Sequence, residues 1–350
     1  MAQRFRRQSA GLSTTSTHDT KRGEDARARL YSLSEMPEAW AAAVRRWTLL
    51  NADFRTSSDD QAMPEPEVEW LFYQALAGTW PVDLAWDEAA GLTALADRMA
   101  QFMLKAVREA KTHTNWTAQN AEYEAAVEGF TRAALDPARA KPFLQNFVAM
   151  CGPVFLAGVL NSLSQTAIKL TAPGVPDIYQ GSELWELSLV DPDNRRSVDY
   201  DRCRALQQTI ADMAADALLA DWRSGALKMK LLHAGLALRA GDQDLFGEGT
   251  YLPLQVEGAA ADNVVAYARL SSLRAVLTVV PRTPLHLLSG ESLPLVPRDR
   301  WGDTTLSLPS DLTGAHWRNV VTGEMHRSHD RLSVGELLRE FPVALIDRVE

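Results

Sequence analysis

The feature that most constrains the fold is a change in hydrophobic spacing near Gly241. Before that point apolar residues recur every three or four positions, as between Glu88 and Glu109, and this spacing predicts amphipathic helices. After it, short apolar runs alternate with Gly, Pro and Asn-Asp signals that are typical of antiparallel strands. The chain is therefore predicted to be of mixed α+β class with several domains, the last of them a β-sandwich over residues 241–350.

Within this frame the pattern predicts individual elements. A polar, Pro-containing stretch from Thr56 to Pro66 suits a surface loop between helices. A helix is expected from Asn120 to Leu135, and Phe143–Leu163 is apolar enough for an interior helix or a broken pair of helices. The predicted strands are Tyr251–Val256, Asn263–Arg269, Ala275–Val280, Thr305–Leu308, Trp317–Val321 and Phe341–Ile346.

Composition excludes several classes of function. A net charge of -9 gives no general excess of cations for phosphates, so nucleic acid is not an expected partner. No uninterrupted apolar run approaches the roughly 18 residues of a membrane span, and no signal-peptide core follows the basic N-terminus. With only Cys151 and Cys203, we expect reduced thiols and a cytoplasmic location.

Neither a cofactor nor a metal is predicted. His326 and His329 stand three apart, but Gly323 and the β-rich context favour an exposed turn, and no third ligand is evident.

Two segments carry candidate chemistry. The run from Leu12 to Arg22 is rich in Ser and Thr and reads as a strand that delivers His18 and Asp19 to its C-terminal end, where barrel enzymes place their catalytic groups. Considered alone, a His-Asp pair is more often a surface or capping pair. The run from Leu170 to Glu183 reads as a second strand followed by a loop shaped by Pro and Gly, in which Glu183 caps a helix or forms a salt bridge.

Taken together, these segments resemble the last two characteristic strand ends of the α-amylase superfamily barrel. Their extended forms, His18–Arg29 and Leu187–Tyr200, resemble the maltooligosyltrehalose synthase family in particular. So do Lys111–Glu124 and the C-terminal Phe341–Leu345. The resemblance implies the C-terminal half of such an enzyme, with an incomplete (β/α)8 barrel. The implied ranges are a barrel strand and catalytic loop (1–30), a helical insert (31–165), the last barrel strand with its loop and helices (166–240) and the sandwich (241–350).

The resemblance also implies roles. Retaining enzymes use one carboxylate as nucleophile and a second as acid, and the family carries both upstream of the His-Asp segment. This chain would supply the third carboxylate, Asp19, which hydrogen-bonds sugar hydroxyls at the cleaved residue, with His18 assisting. We therefore expect the chain alone to be inactive, and the missing N-terminal half of the barrel to be its partner.

The remaining candidates would bind a maltooligosaccharide. Lys21, Arg22 and Lys111 would hold the reducing-end glucose, and Trp116 or Tyr123 would offer a flat face to a pyranose ring. The alternatives are a salt bridge from Lys21 or Arg22 to Glu24 or Asp25, and a core position for Trp116. The further substrate-binding candidates are Asn120, Tyr179, Asp191, Asn194 and Arg195, with Asp193 beside them at the rim of the site.

The implied reaction is an isomerisation by intramolecular transglucosylation. The α-1,4 bond at the reducing end breaks, and the released glucose reattaches through its anomeric hydroxyl as an α,α-1,1 (trehalose) unit. Two other functions stay open: a maltooligosaccharide hydrolase of the same superfamily, and a noncatalytic glucan-binding or partner subunit.

Overall fold

A computed structural model describes residues 2–58, 61–272, 274–328 and 330–349. The helices are α1 Ala2–Gln8, α2 Glu24–Tyr31, α3 Pro37–Leu50, α4 Pro66–Thr79, α5 Ala89–Ala110, α6 Ala121–Ala134, α7 Lys141–Thr171, α8 Tyr200–Thr209, α9 Ala215–Ala220, α10 Ala226–Gly241, α11 Gln243–Gly247 and α12 Val334–Leu337. The strands are β1 Leu12–Ser13, β2 Thr56–Ser58, β3 Gln61–Met63, β4 Val175–Pro176, β5 Thr250–Pro253, β6 Val256–Glu257, β7 Val264–Leu270, β8 Ala275–Pro281, β9 Thr305–Ser307, β10 His316–Asn319, β11 Met325–Arg327, β12 Arg331–Ser333 and β13 Ala344–Val349.

The chain divides into two compact units. The helical unit comprises His18–Phe155 and Leu187–Arg196, and the sheet unit comprises Met1–Thr17, Leu156–Glu186 and Ser197–Glu350. These units cut the chain differently from the four predicted ranges, which stay predictions.

The helical unit is built around an aromatic core. Trp47 of α3 lies with its ring centroid 5.2 Å from those of Tyr73 in α4 and Phe147 in α7. Such tilted contacts add to the stabilisation from burying large apolar rings. α5 packs its apolar stripe into this core and leaves its polar residues on the opposite face. That polar face of α5 positions the candidate site.

The buried Arg29 caps the C-terminal end of α4 in this unit. Arg29 of α2 donates from Nη1 to the carbonyls of Gly78 (3.2 Å) and Trp80 (2.6 Å), at the end of α4. Those carbonyls have no partner within their own helix, and burial without one would be costly. Burial lowers the pKa of Arg29 to about 10.

The sheet unit contains two antiparallel sheets. Six strands run in the order β11-β10-β13-β8-β7-β5, and three run in the order β12-β9-β6. Every residue of β8 is buried, as expected for a strand covered on both faces. β7 pairs with β8 over its full length, from Val264 opposite Pro281 to Leu270 opposite Ala275.

A short parallel pair lies in the same unit. β1 and β4 place Leu12 opposite Val175 and Ser13 opposite Pro176. Leu12 is 74% exposed and Val175 is 48% exposed, so this pair leaves apolar side chains uncovered. Gly174 precedes β4 with φ +124°, and a Cβ there would lie 2.6 Å from the carbonyl oxygen of Gly11. Only glycine therefore permits this approach of the two segments.

The structure confirms several predicted elements and corrects others. The helices near Glu88–Glu109 and Asn120–Leu135 are α5 and α6, and each of the six predicted strands overlaps an observed one. The predicted loop at Thr56–Pro66 instead contains the antiparallel strand pair β2 and β3.

The predicted strand near Leu170 is wrong, because α7 continues to Thr171 and the strand comes later, at β4. Arg239 donates to the carbonyl of Leu170 (2.8 Å), and Arg269 donates to that of Thr171 (3.2 Å). These side chains satisfy carbonyls at the end of the helix, just before Pro173 and Gly174.

In the described part of the chain, one helix, α7, is long and apolar enough to cross a membrane. More than half of its most apolar stretch is buried inside the protein, which is also typical of a core helix.

Candidate active site

His18 and Asp19 form an exposed turn in the helical unit. His18 Nε2 lies 3.2 Å from Asp19 Oδ2, and the two side chains are 64% and 85% exposed. A side-chain contact this exposed contributes little to stability. Both groups are instead accessible to a polar ligand, and the carboxylate can accept hydrogen bonds from hydroxyl groups.

The loop Leu187–Arg196 holds this turn at two points. At one end the Gly23 amide donates to the Ser188 carbonyl at 2.8 Å, and Arg22 forms an antiparallel bridge with Leu189. At the other end the side-chain amide of Asn194 donates from Nδ2 to the His18 carbonyl at 2.8 Å. The two segments singled out by the sequence resemblance are thus in direct contact.

An ion pair between the partly buried Arg98 and the buried Asp193 fastens the loop to α5. Arg98 donates to Asp193 from Nε (2.8 Å) and Nη2 (3.0 Å), and the Leu189 amide donates to the same carboxylate at 2.7 Å. Burial by itself would raise the pKa of Asp193, but the hydrogen bonds and charge of Arg98 outweigh it and hold this pKa below its ordinary value. Asp193 is therefore a charged anchor.

Charged side chains of alternating sign run from the turn across α5 to the loop. We call them the charge row, and they are Lys21, Glu109, Lys105, Asp191 and Arg195. Lys21 Nζ lies 2.8 Å from Glu109 Oε2, and Lys105 lies 3.9 Å from Glu109 and 3.7 Å from the Asp191 carboxylate. Lys105 also donates to the Asp191 carbonyl at 2.8 Å, and Arg195 pairs with Asp191 at 2.5 Å. Lys21 therefore pairs with Glu109, and not with the Glu24 or Asp25 that its neighbourhood in sequence suggests.

Arg22 is a partly buried packing residue. Its guanidinium lies 5.8 Å from the centroid of the Phe102 ring, and burial lowers the pKa of Arg22. It offers less to a ligand than the more exposed Lys21.

Trp116 stands on the loop between α5 and α6 and is 53% exposed, so the alternative of a core position is wrong. Arg108 lies 5.0 Å from its ring centroid and binds both carboxylate oxygens of Glu124, at 2.9 and 2.7 Å. Hydrogen bonds from Arg108 lower the pKa of Glu124. The ring is thus held from one side and remains available to an apolar sugar face.

Lys111, at the start of this loop, ends α5 in the left-handed conformation (φ 60°) and is exposed.

Asn120 and Tyr123 have structural roles in the same loop and helix. Asn120 is the N-cap of α6 and accepts from the Tyr123 amide. Tyr123 is buried, its hydroxyl donates to Glu65 at 2.7 Å, and burial with this acidic neighbour raises its pKa. Its ring also contacts that of His113, at 4.8 Å between centroids. Tyr123 therefore does not present the open face expected from sequence.

Tyr179 belongs to the sheet unit, where its carbonyl accepts from the Ser182 amide at 3.0 Å. His326 lies on β11 with Nε2 at 3.7 Å from Glu324, and His329 is outside the described residues. The described ranges contain no group of three or more His, Cys, Asp or Glu side chains that is arranged to hold a metal.

Sequence reasoning missed the residues of α5 that organise the site. Arg98, Lys105 and Glu109 are spaced seven and four residues apart, which places them on one helix face. This spacing, opposite the apolar stripe, was the signal available in the sequence.

Comparisons with known proteins support the resemblance. No protein-family model matches the chain. A protein of Mycobacterium tuberculosis described as a putative maltooligosyl trehalose synthase is 32% identical over 337 residues. This match covers 96% of the present chain and 37% of that relative. The chain thus spans less than two-fifths of the length of the curated relative that it matches.

Solved structures of maltooligosyltrehalose synthases also match this chain over part of their length. The maltooligosyltrehalose synthase from Arthrobacter ramosus matches with a TM-score of 0.74 and 29% identity, over 99% of this chain and 40% of that one. A crystal structure of maltooligosyl trehalose synthase matches with a TM-score of 0.76 and 27% identity, over 99% and 41%. The sequence resemblance to part of these enzymes is therefore confirmed.

Proposed function

We propose that this chain, similar over almost its whole length to part of the maltooligosyltrehalose synthases, contributes one side of the active site of such an enzyme. The reaction would convert the reducing-end α-1,4 bond of a maltooligosaccharide into an α,α-1,1 bond by intramolecular transfer. The observation that carries the proposal is the contact between the two segments of the resemblance, which meet at the exposed His18–Asp19 turn.

Asp19 would accept hydrogen bonds from hydroxyls of the glucose at which the bond is cleaved, with His18 beside it. A charged acceptor contributes about 1.5–3 kcal/mol per bond, and bonds that strengthen in the transition state increase the rate. The exposure of both side chains supports this role, because a substrate can reach them without local unfolding.

The released glucose must be held and water kept away, because water attacking the glycosyl-enzyme would give hydrolysis. Lys21 is the first candidate for this task, since the charge row fixes its ammonium group but leaves 60% of the side chain exposed. Trp116 and Lys111 are the second candidates, on a loop that presents a held ring and an exposed cation.

We also propose an architecture for the strands and sheets of this chain. We interpret β1 and β4 as the last strands of an α-amylase-type (β/α)8 barrel and the two antiparallel sheets as the C-terminal sandwich. The parallel pairing of β1 with β4 and the exposed Leu12 and Val175 support a partner that supplies the other barrel strands. The nucleophile and the acid would come from that partner. The cytoplasm stays our proposed location, since both cysteines are free thiols.

A noncatalytic glucan-binding or partner subunit is the second candidate. It is favoured by the half-exposed Trp116 ring, which Arg108 holds from one side and which offers a face to a sugar without any catalytic carboxylate. It would use Trp116 and the His18–Asp19 turn for binding alone.

The test is product analysis with maltopentaose. The chain is assayed alone and after mixing with the segments of a relative that lie outside the matched part, a preparation that we call the complemented enzyme. We expect no turnover by the chain alone and a trehalose-ended product from the complemented enzyme. Glucose as the main product would favour a hydrolase. Binding of maltopentaose without any product from a folded complex would favour the noncatalytic subunit.

A further inference from the structure

We infer that Asn194 is a positioning residue for the His18–Asp19 turn, and that the Arg98–Asp193 ion pair holds Asn194 in place. The geometric part concerns this chain alone. Its consequence for catalysis rests on the proposed function.

Asn194 acts on the turn through one short hydrogen bond. Asn194 is only 9% exposed, and its Nδ2 donates to the carbonyl of His18 at 2.8 Å. The His18 side chain itself is mostly in solvent, so its own packing contributes little to orienting the backbone. At the other end of the segment, backbone pairing fixes Arg22 and Gly23 to Leu189 and Ser188. Asn194 therefore fixes the end of the segment that carries the two candidate catalytic residues.

The ion pair sets where Asn194 stands. Asp193, its neighbour in the chain, takes two hydrogen bonds from Arg98 and one from the Leu189 amide, which closes the loop on itself. Arg98 Nη2 also lies within 3.2 Å of the Leu187 carbonyl, so one guanidinium reaches both ends of the loop. Because Arg98 projects from a helix of 22 residues, the loop takes its position from a rigid element.

Because Asn194 donates this hydrogen bond, a substitution that removes the donor tests the bond selectively. In Asn194→Asp the side chain keeps its size but places a carboxylate against the His18 carbonyl, and a carboxylate cannot donate. Asn115→Asp is the matched control. Asn115 accepts through Oδ1 from Thr117 and Ala118, and an aspartate retains that function.

The measurement is backbone order by ¹⁵N relaxation of the deuterated full chain. In the parent and in Asn115→Asp we expect order parameters of about 0.85 at His18 and Asp19, the value of rigid backbone. In Asn194→Asp they should fall below about 0.6, while those of α5 stay unchanged. A role in overall stability alone would change the melting temperature without this local loss. Unchanged order at His18 and Asp19, or equally low order in the parent, would overturn the inference.

Two further variants keep the test decisive. Asn194→Ser shortens the side chain without adding charge, and it replaces Asn194→Asp if that variant does not fold. Asp193→Asn should lower the order of His18 and Asp19 as well as that of the loop. Loss of order in the loop alone would refute the role of the ion pair.

The complemented enzyme separates this inference from the proposed function. If the positioning role and the proposed function both hold, Asn194→Asp should lower kcat by at least about tenfold with little change in KM. A misplaced catalytic group slows the reaction more than it weakens ground-state binding of the substrate. If the parent shows no turnover but the order parameters change as expected, the proposed function fails and the positioning role stands.

Discussion

Lys21 pairs with Glu109 across 88 residues of sequence, with Nζ 2.8 Å from Oε2, although Glu24 and Asp25 are three and four residues away. The two nearer acids are buried in the first turn of α2, where carboxylates interact favourably with the positive end of the helix dipole. Glu109 sits at the exposed end of α5, where Lys21 reaches it without leaving solvent.

This pair predicts a change in product and little change in stability. Lys21→Ala and Glu109→Gln should each change the free energy of unfolding by less than about 1 kcal/mol, because the pair is exposed. In the complemented enzyme both should raise the ratio of glucose to trehalose-ended product, since a poorly held glucose lets water compete. Asp97→Asn, which removes another exposed pair on α5, should leave the ratio unchanged. An unaltered ratio in Lys21→Ala would make Lys21 a purely structural residue.

Asp19→Asn should retain the fold and lose turnover. The side chain is 85% exposed, so we expect a change in unfolding free energy within about 0.5 kcal/mol. Turnover of maltopentaose by the complemented enzyme should fall by a factor on the order of 10²–10³, by analogy with loss of a transition-state hydrogen-bonding group. Asp201→Asn, at a carboxylate that is 94% exposed, is the control. Normal turnover in Asp19→Asn would remove Asp19 from the mechanism.

Asp193 should make stability depend on acid pH. Its folded-state pKa lies below its ordinary value of 3.8, so the unfolded chain binds the proton more readily. Its contribution is therefore complete above about pH 4 and is lost as the pH falls through the folded-state pKa. At pH 7 Asp193→Asn should cost about 3 kcal/mol, as for breaking a buried pair. Urea unfolding at several pH values should show this difference shrinking below pH 4, and the exposed Asp97→Asn should show almost none.

Tyr123→Phe should weaken the fold without affecting sugar binding. It removes the 2.7 Å hydrogen bond to Glu65 and leaves a partly buried carboxylate oxygen without this donor, at a cost of about 1–2 kcal/mol. Tyr200→Phe, at an exposed ring, should be neutral in the same denaturation experiment. A loss of maltopentaose binding in Tyr123→Phe at unchanged stability would restore Tyr123 as a ligand-binding residue.

Trp116→Ala tests the proposed sugar platform. We expect maltopentaose binding by the folded chain to weaken about fivefold, since apolar contact with an exposed ring contributes about 1 kcal/mol. Stability should change little, because the ring is half exposed. Trp70→Ala, at a ring that is 38% exposed and packs edge-on against Trp40, should lower stability but not affinity. Calorimetric titration that shows equal affinities for the parent and Trp116→Ala would exclude this platform.

The sequence by itself determined the elements whose signals are local. α5 follows from apolar residues repeated at helical spacing, and β7 and β8 follow from short apolar runs between turn signals. The start of α6 follows from Asn120, whose side chain caps the amide of Tyr123 three residues later. The sequence also identified the two segments that meet at the site, His18–Arg29 and Leu187–Tyr200, through their resemblance to known enzymes.

The tertiary structure alone decided which groups those segments contact. The carbonyls of Leu170 and Thr171, at the end of α7, accept from Arg239 and Arg269, which lie far along the chain. Packing of the folded chain likewise brings Lys21 to Glu109 and the side-chain amide of Asn194 to the His18 carbonyl. Helical and strand periodicity is set by neighbours a few residues apart, whereas hydrogen bonds and ion pairs form between groups that packing brings together, whatever their separation in sequence.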